Sequence, residues 1–143
     1  MLAQRGVDVT VVEPHPARLA AATARGAHPH SDDSPRFDVV LDAAGYRGSV
    51  ADAFGAVRRG GLVLVVAMSE HPIGLSARAL VEKGVTIASS IGFGDDGIPE
   101  AVRMLGASPS TFAGVVSDRI TLDELPARLL APAATTGKVV VTF

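Results

Sequence analysis

Val7-Asp8-Val9-Thr10-Val11-Val12-Glu13 is the stretch whose reading decides the fold. β-Branched side chains are stiff at χ1 and pack well on a pleated surface, so this run favours extended backbone. Val7–Val12 reads as a buried strand that closes on an acid, Glu13. On its N-terminal side, Met1 to Arg5 reads as the last turn of a helix, with Gly6 as its C-cap. On its C-terminal side, Pro14 and Pro16 bracket a turn. Arg18 to Arg25 then reads as an alanine-rich helix capped by Gly26. Ala27 to His30 fits a short edge strand, and Ser31 to Arg36 a polar loop.

The same alternation continues along the chain. Phe37 to Leu41 reads as a second strand, running into Asp42-Ala43-Ala44-Gly45. Ser49 to Arg58 fits a helix that puts Val50, Ala53, Phe54 and Val57 on one stripe. Gly60-Gly61 reads as a turn into Leu62–Ala67, the most apolar strand. Ser76 to Glu82 is expected to be a short helix, Val85 to Ser90 a strand, and Ile98 to Leu105 a helix with Pro99 in its first turn. Leu122 to Leu130 is expected to be a last helix capped by Thr121, followed by a strand from Lys138 to Phe143. Near-continuous Val/Leu runs alternating with amphipathic helices are the sequence form of a mostly parallel α/β sheet with helices on both faces.

The bulk properties narrow the function classes. At 143 residues the length fits one domain, 1–143, with enough chain to bury a core. Hydrophobic residues make up 48% and charged residues 20%, the balance of a globular chain. The formal charge of −2 with no basic face argues against nucleic acid as a partner. No apolar run is long enough to span a membrane and no signal peptide is evident, so a cytoplasmic location is expected. Cysteine is absent, which removes disulfides, thiolate zinc ligands and a Cys nucleophile.

Candidate binding residues cluster at the carboxyl ends of the expected strands. A carboxylate at Glu13 can accept hydrogen bonds from a ribose diol and repels a 2′-phosphate, which favours NAD over NADP. The plain alternative is a solvated acid at a strand end. Arg18 lies close enough to reach the same ribose or a pyrophosphate, or is an exposed helix residue. Ala43, Ala44 and Gly45 end the Phe37 strand, and small residues there let a flat ring approach the backbone. Ala67-Met68 and Ser90-Ile91-Gly92 end two further strands in the same way. Small residues also ease tight strand-to-helix turns. His28 and His30 are two residues apart, but two ligands do not close a metal site, and a solvated loop accounts for them. Asp32-Asp33 and Asp95-Asp96 fit turn chemistry. Tyr46 has Val50, not lysine, four residues on, and no Gly-x-Ser-x-Gly elbow is present.

Together, Val-Val-Glu-Pro (11–14), Phe-Asp-Val-Val-Leu-Asp-Ala-Ala-Gly (37–45) and Arg-Arg-Gly-Gly-Leu-Val-Leu-Val-Val (58–66) resemble the cofactor domain of zinc-dependent medium-chain dehydrogenases. The resemblance continues through 82–90, 116–123 and 137–141, and is nearest to the sorbitol, threonine and butanediol dehydrogenase branch. It implies a Rossmann-like, doubly wound sheet and an oxidoreductase that moves hydride between NAD(P) and an alcohol. It implies that Glu13 and Arg18 meet the adenosine ribose and that Ala43 and Ala44 lie on the adenosine side. By the same resemblance Val66, Ala67 and Met68, with Ser90 and Ile91, meet the nicotinamide side. The segment 98–143 is the one that in the family returns toward the catalytic domain.

The departures from that pattern set further expectations. The acid normally follows a Gly-x-Gly-x-x-Gly turn by about 20 residues. Here twelve residues precede Glu13, with Gly6 the only glycine among them. The sheet is therefore expected to be truncated at its N-terminal strand, and the zinc ligands and proton relay of the family have no counterpart. The chain alone is expected not to oxidise alcohols. Removing a strand between Val7–Val12 and Phe37–Leu41 leaves backbone groups unpaired at about 1–3 kcal/mol each, against a net stability of about 5–15 kcal/mol. A homo-oligomer or a complementing chain is expected to compensate. In the family the edge strand equivalent to Val85–Ser90 offers a dimer route. Two other readings remain: a nucleotide-binding or scaffolding module without chemistry, and an S-adenosylmethionine-dependent methyltransferase-like domain.

Overall fold

The computed structural model describes residues 2–92, 94–130 and 137–143. The chain divides into two compact units, residues 1–32 with 95–143, and residues 33–94. All strand pairings among the described residues are parallel. Parallel strands separated by helices make an α/β architecture, as the sequence pattern implies.

In the first unit, a 3-10 turn at Ala3–Arg5 ends on Gly6, whose φ of +77° and N–H to the Ala3 carbonyl make it the expected cap. Strand β1 is Thr10–Val11 and pairs with β2, His28–Pro29. The expected strand Val7–Val12 is thus cut to two residues. Val7 and Val12 are exposed rather than buried. The ladder reaches only as far as its short partner, so β-propensity at the flanking valines has nothing to pair with. Helix α1 spans Pro16–Thr23, two residues earlier than expected. Pro16 occupies the first helical position, where its missing N–H costs nothing and its φ is already set. The segment also contains α4, Gly97–Ala107, and a strand pair, β6 (Val116–Thr121) with β7 (Lys138–Thr142). Strand β6 has no counterpart among the expected elements. Helix α5 covers Leu125–Leu130, shorter than the expected Leu122–Leu130. Thr121 donates both its amide and its hydroxyl to the Glu124 carboxylate, so residues 121–124 form a turn ahead of the helix.

The second unit holds a three-stranded sheet in the order β3-β4-β5. These are Phe37–Asp42, Val57–Val65 and Thr86–Ser89, with α2 (Ser49–Ala56) and α3 (Ala77–Lys83) between them. Strand β4 runs straight through Gly60-Gly61, which the sequence reads as a turn. Phe37 pairs with Val57 and Val39 with Leu62, so the extra residues bulge out of the ladder. A Cβ on Gly61 would lie 2.6 Å from the Val57 side chain and 2.8 Å from the Asp38 carbonyl, so the bulge requires glycine there.

Val50 and Ala53 of α2 pack on Val57 and Val63 of β4, with Val40, Val65, Leu75, Val85 and Ile87 around them. Val57 and Val63 are completely buried. The α2 stripe is as the spacing predicts, except that Val57 belongs to the strand. Ser76 caps α3 by accepting from the Ala79 amide, and Gly84 closes it at φ +63°. Lys83 reaches back to the Phe54 and Gly55 carbonyls at the end of α2, where a cation meets the negative pole of the helix. Burial there, and then the charge of Arg36, hold the Lys83 ammonium pKa below its usual value. Among the described residues, no helix is long and apolar enough to cross a membrane.

Candidate functional site

Glu13 follows β1 and precedes α1. Its Oε1 accepts from the His15 amide at 2.8 Å and from the Arg18 guanidinium at 3.0 Å. The acid therefore ties the strand end to the first turn of the helix. The Arg18 hydrogen bond, then the His15 amide, hold the Glu13 carboxyl below its ordinary pKa. Arg18 is in turn held more firmly protonated by Glu13. No hydrogen bond among the described residues falls on Glu13 Oε2. One oxygen is spent on the fold and one is left to accept. The His15 Nδ1 atom is buried without a partner.

In the second unit, a buried carboxylate builds the strand ends. Asp42 is only 5% exposed. Its Oδ1 accepts from the Ala44 amide at 3.1 Å and the Gly45 amide at 3.2 Å, and its Oδ2 from the Ser49 hydroxyl at 2.8 Å. This Asx-type turn bends the chain sharply out of β3 and into α2. Gly45 sits at φ +65°, and a Cβ there would come within 2.9 Å of the Ala67 side chain. The close approach of the two loops therefore depends on glycine.

The Asp42 carbonyl also accepts from the Val66 and Ala67 amides at 3.0 and 3.1 Å, and the Val65 carbonyl accepts from the Ser90 amide at 3.1 Å. These bonds align the carboxyl ends of β3, β4 and β5. They bring Ala43, Ala44 and Gly45, Val66, Ala67 and Met68, and Ser90 and Ile91 to one edge of the sheet. Met68 and Ile91 are almost fully exposed there. A shallow cleft behind this edge is lined by Asp42, Tyr46, Ser49, Ala67, Ser69 and His71. Tyr46 donates its hydroxyl to the Asp52 carboxylate, which is the main reason its pKa is raised.

Three cleft residues, Tyr46, Ser69 and His71, are not among the residues that the strand-end pattern singles out. Their signal is weak, because loop side chains between a strand and a helix follow no period. Asp42 is legible in hindsight: an Asp followed by small residues at a strand end is the composition of an Asx turn. Asp32-Asp33 and Asp95-Asp96 lie in turns. His28 stands 3.8 Å from Asp8. Among the described residues, no three His, Asp or Glu side chains converge on a point that could hold a metal.

Comparison with known proteins identifies the family and the fold. A family model described as zinc-binding dehydrogenase matches residues 1–107. A 2R,3R-butanediol dehydrogenase from Bacillus subtilis superposes with a TM-score of 0.81 at 21% identity, over 95% of this chain and 44% of that one. A zinc-binding dehydrogenase from Sinorhizobium meliloti bound to NADP gives 0.83 at 20% identity, over 96% and 45%. A short chain alcohol dehydrogenase from Escherichia coli complexed with NADH gives 0.77 at 16% identity, over 95% and 44%. The chain spans less than half the length of these structures, and it shares their Rossmann-like α/β fold.

Proposed function

The chain belongs to the zinc-binding dehydrogenase family, and from that premise we propose that it is a nicotinamide-dinucleotide-binding domain that takes an adenosine ribose on Glu13. The observation that carries this is the state of that carboxylate. Oε1 is fixed by His15 and Arg18, and no hydrogen bond among the described residues falls on Oε2, the oxygen that we assign to a ribose hydroxyl. A carboxylate already clamped in place loses little freedom on binding, which is what preorganisation contributes to affinity.

NAD is the cofactor this site favours. A 2′-phosphate would meet the open Oε2, a like charge, before it met Arg18, whose guanidinium is already engaged by Glu13. At the other strand ends, Ala43, Ala44 and Gly45 present little bulk against the adenosine side. Val66, Ala67 and Met68, with Ser90 and Ile91, contact the nicotinamide side, partly through backbone groups. The dinucleotide, when bound, supplies a hydride donor or acceptor. The residues of this chain hold and orient it.

Zinc does not fit. The sequence has no cysteine, and the described His, Asp and Glu side chains do not converge. On this reading the residues of this chain bind and orient the dinucleotide.

Titrating the purified chain with NADH and following nicotinamide fluorescence tests the reading. Saturable binding is expected, with Glu13→Ala weakening it by about tenfold, the loss of one hydrogen bond to a charged group at roughly 1.5 kcal/mol. An alcohol-dependent assay at 340 nm is expected to show no turnover. Absence of saturation, or equal affinity in wild type and Glu13→Ala, would reject it.

A further inference from the structure

We infer that Asp96-Gly97 is a site of spontaneous covalent modification, where the chain isomerises to isoaspartate through a cyclic imide. Asp96 is the N-cap of α4 and Gly97 is its first residue. An N-cap aspartate normally accepts from an amide in the first turn, which holds its carboxyl in place. The Asp96 side chain makes no such bond, and no salt bridge among the described residues reaches it. Its Cγ is free to approach the next amide nitrogen along the chain. That nitrogen belongs to a glycine, so no Cβ shields it. As the first N–H of a helix it also has no intrahelical acceptor to hold it. The backbone bond that fixes this turn runs from the Glu100 amide to the Asp96 carbonyl at 2.9 Å. It belongs to a terminal turn, where helices fray most readily.

The aspartates with known partners lack this combination. The Asp42 carboxylate accepts from Ala44, Gly45 and Ser49. Asp38 is paired with Arg58, Asp118 with Arg128, and Asp52 accepts from the Tyr46 hydroxyl. Each of these carboxylates is restrained, and each is followed by a residue that carries a Cβ: Ala43, Val39, Arg119 and Ala53. Asp-Gly occurs once in the sequence. Asparagine, whose side chain closes the same ring with loss of ammonia, is absent, so no competing reaction obscures the site.

The step balances with water as the only co-reactant. The Gly97 nitrogen attacks Cγ of the protonated Asp96 carboxyl, and an N–C bond forms. The amide proton and the carboxyl hydroxyl leave together as one water, closing a succinimide ring. Water then opens the ring at either carbonyl. Attack at the former side-chain carbonyl restores aspartate. Attack at the former main-chain carbonyl leaves the backbone running through Cβ and Cγ, with a free carboxylate on Cα. Nothing is oxidised or reduced, and the mass returns to its starting value. The extra methylene in the main chain displaces the carbonyl that the Glu100 amide uses, so the first turn of α4 opens.

Ageing the purified chain in warm neutral buffer decides it. Trypsin, cutting after Lys83 and Arg103, releases peptide 84–103. Electron-transfer mass spectrometry then reads the backbone at each aspartate. Isoaspartate is expected at position 96 at least tenfold faster than at any other aspartate. Gly97→Ala is expected to slow it at least tenfold; Gly97 is helical, so alanine fits there. The synthetic peptide 84–103 gives the rate without the fold. The folded chain is expected to match it within tenfold, because no partner restrains the carboxyl. If the variant fails to fold, this wild-type comparison decides alone. A folded chain more than tenfold slower than the peptide, isoaspartate appearing first at Asp33 or another aspartate, or a folded Gly97→Ala chain ageing at the wild-type rate would each overturn the proposal.

Discussion

Replacing Asp42 with alanine removes the acceptor for three donors at once: the Ala44 amide, the Gly45 amide and the Ser49 hydroxyl. The three losses are unequal. Ala44 is exposed and Gly45 half-buried, so water replaces much of what those amides lose. Ser49 is only 7% exposed, and its hydroxyl is stranded. A buried group left unpaired costs about 1–3 kcal/mol, and a half-solvated one about 0.5–1 kcal/mol. Asp42→Ala should therefore cost about 2–5 kcal/mol, a large part of a stability of about 5–15 kcal/mol. Asp42→Asn keeps the Oδ1 acceptor, and Ser49 can rotate to accept from the new amide, so the cost falls to about 1 kcal/mol. Ser49→Ala should lie between them at about 1–2 kcal/mol. Urea unfolding followed by circular dichroism measures all three, and exchange at the Ala44 and Gly45 amides localises the effect. If Asp42→Ala falls within 0.5 kcal/mol of wild type, or Asp42→Asn costs as much as Asp42→Ala, the carboxylate does not build this turn by accepting hydrogen bonds.

Two further outcomes follow from named contacts. Gly61→Ala drives a methyl group into the Val57 side chain and the Asp38 carbonyl, and should destabilise the fold by about 1–3 kcal/mol, as overpacking does; an unchanged urea midpoint would mean that β4 does not bulge as described. The Glu13 carboxyl, observed by NMR, should titrate with a midpoint below 4.5, and Arg18→Ala should raise it by removing the main cause. The sign follows from a lowered folded-state pKa: the stabilisation is fully present above about pH 4.5 and is lost as pH falls through the folded value. Equal midpoints in the two proteins would show that Arg18 does not hold the acid.

The sequence was informative where one physical cause dominated. Phe37–Leu41 reads as a strand because its apolar, β-branched run favours extended backbone, and it pairs in parallel with β4. The α2 stripe is legible because Val50 and Ala53 face a single core. Failures came where long-range pairing overrode local preference. Val7–Val12 has strong β-propensity, yet only Thr10 and Val11 find a ladder. Gly60-Gly61 has turn composition, yet the strand continues through it as a bulge.

Strand β6 was hidden by Asp118 and Arg119, which break the apolar alternation. Asp118 is accommodated because Arg128 of α5 pairs with it at 2.6 Å, a contact no local pattern announces. Of the candidate residues, the small ones at the strand ends of one unit and the acid Glu13 of the other are visible in the sequence. That His15 and Arg18 occupy one oxygen of Glu13, and that Asp42 ties Ala44 and Gly45 to Ser49, depends on three-dimensional closure of short loops.

The most direct test of the cofactor assignment is residue-by-residue mapping of NADH binding by amide chemical shifts. The account predicts saturable shifts at Glu13 and Arg18, at Ala43 to Gly45, at Val66 to Met68, and at Ser90 and Ile91, with NADPH producing them only at higher concentration. Shifts confined to other residues, or a spectrum unchanged at millimolar NADH, would contradict it.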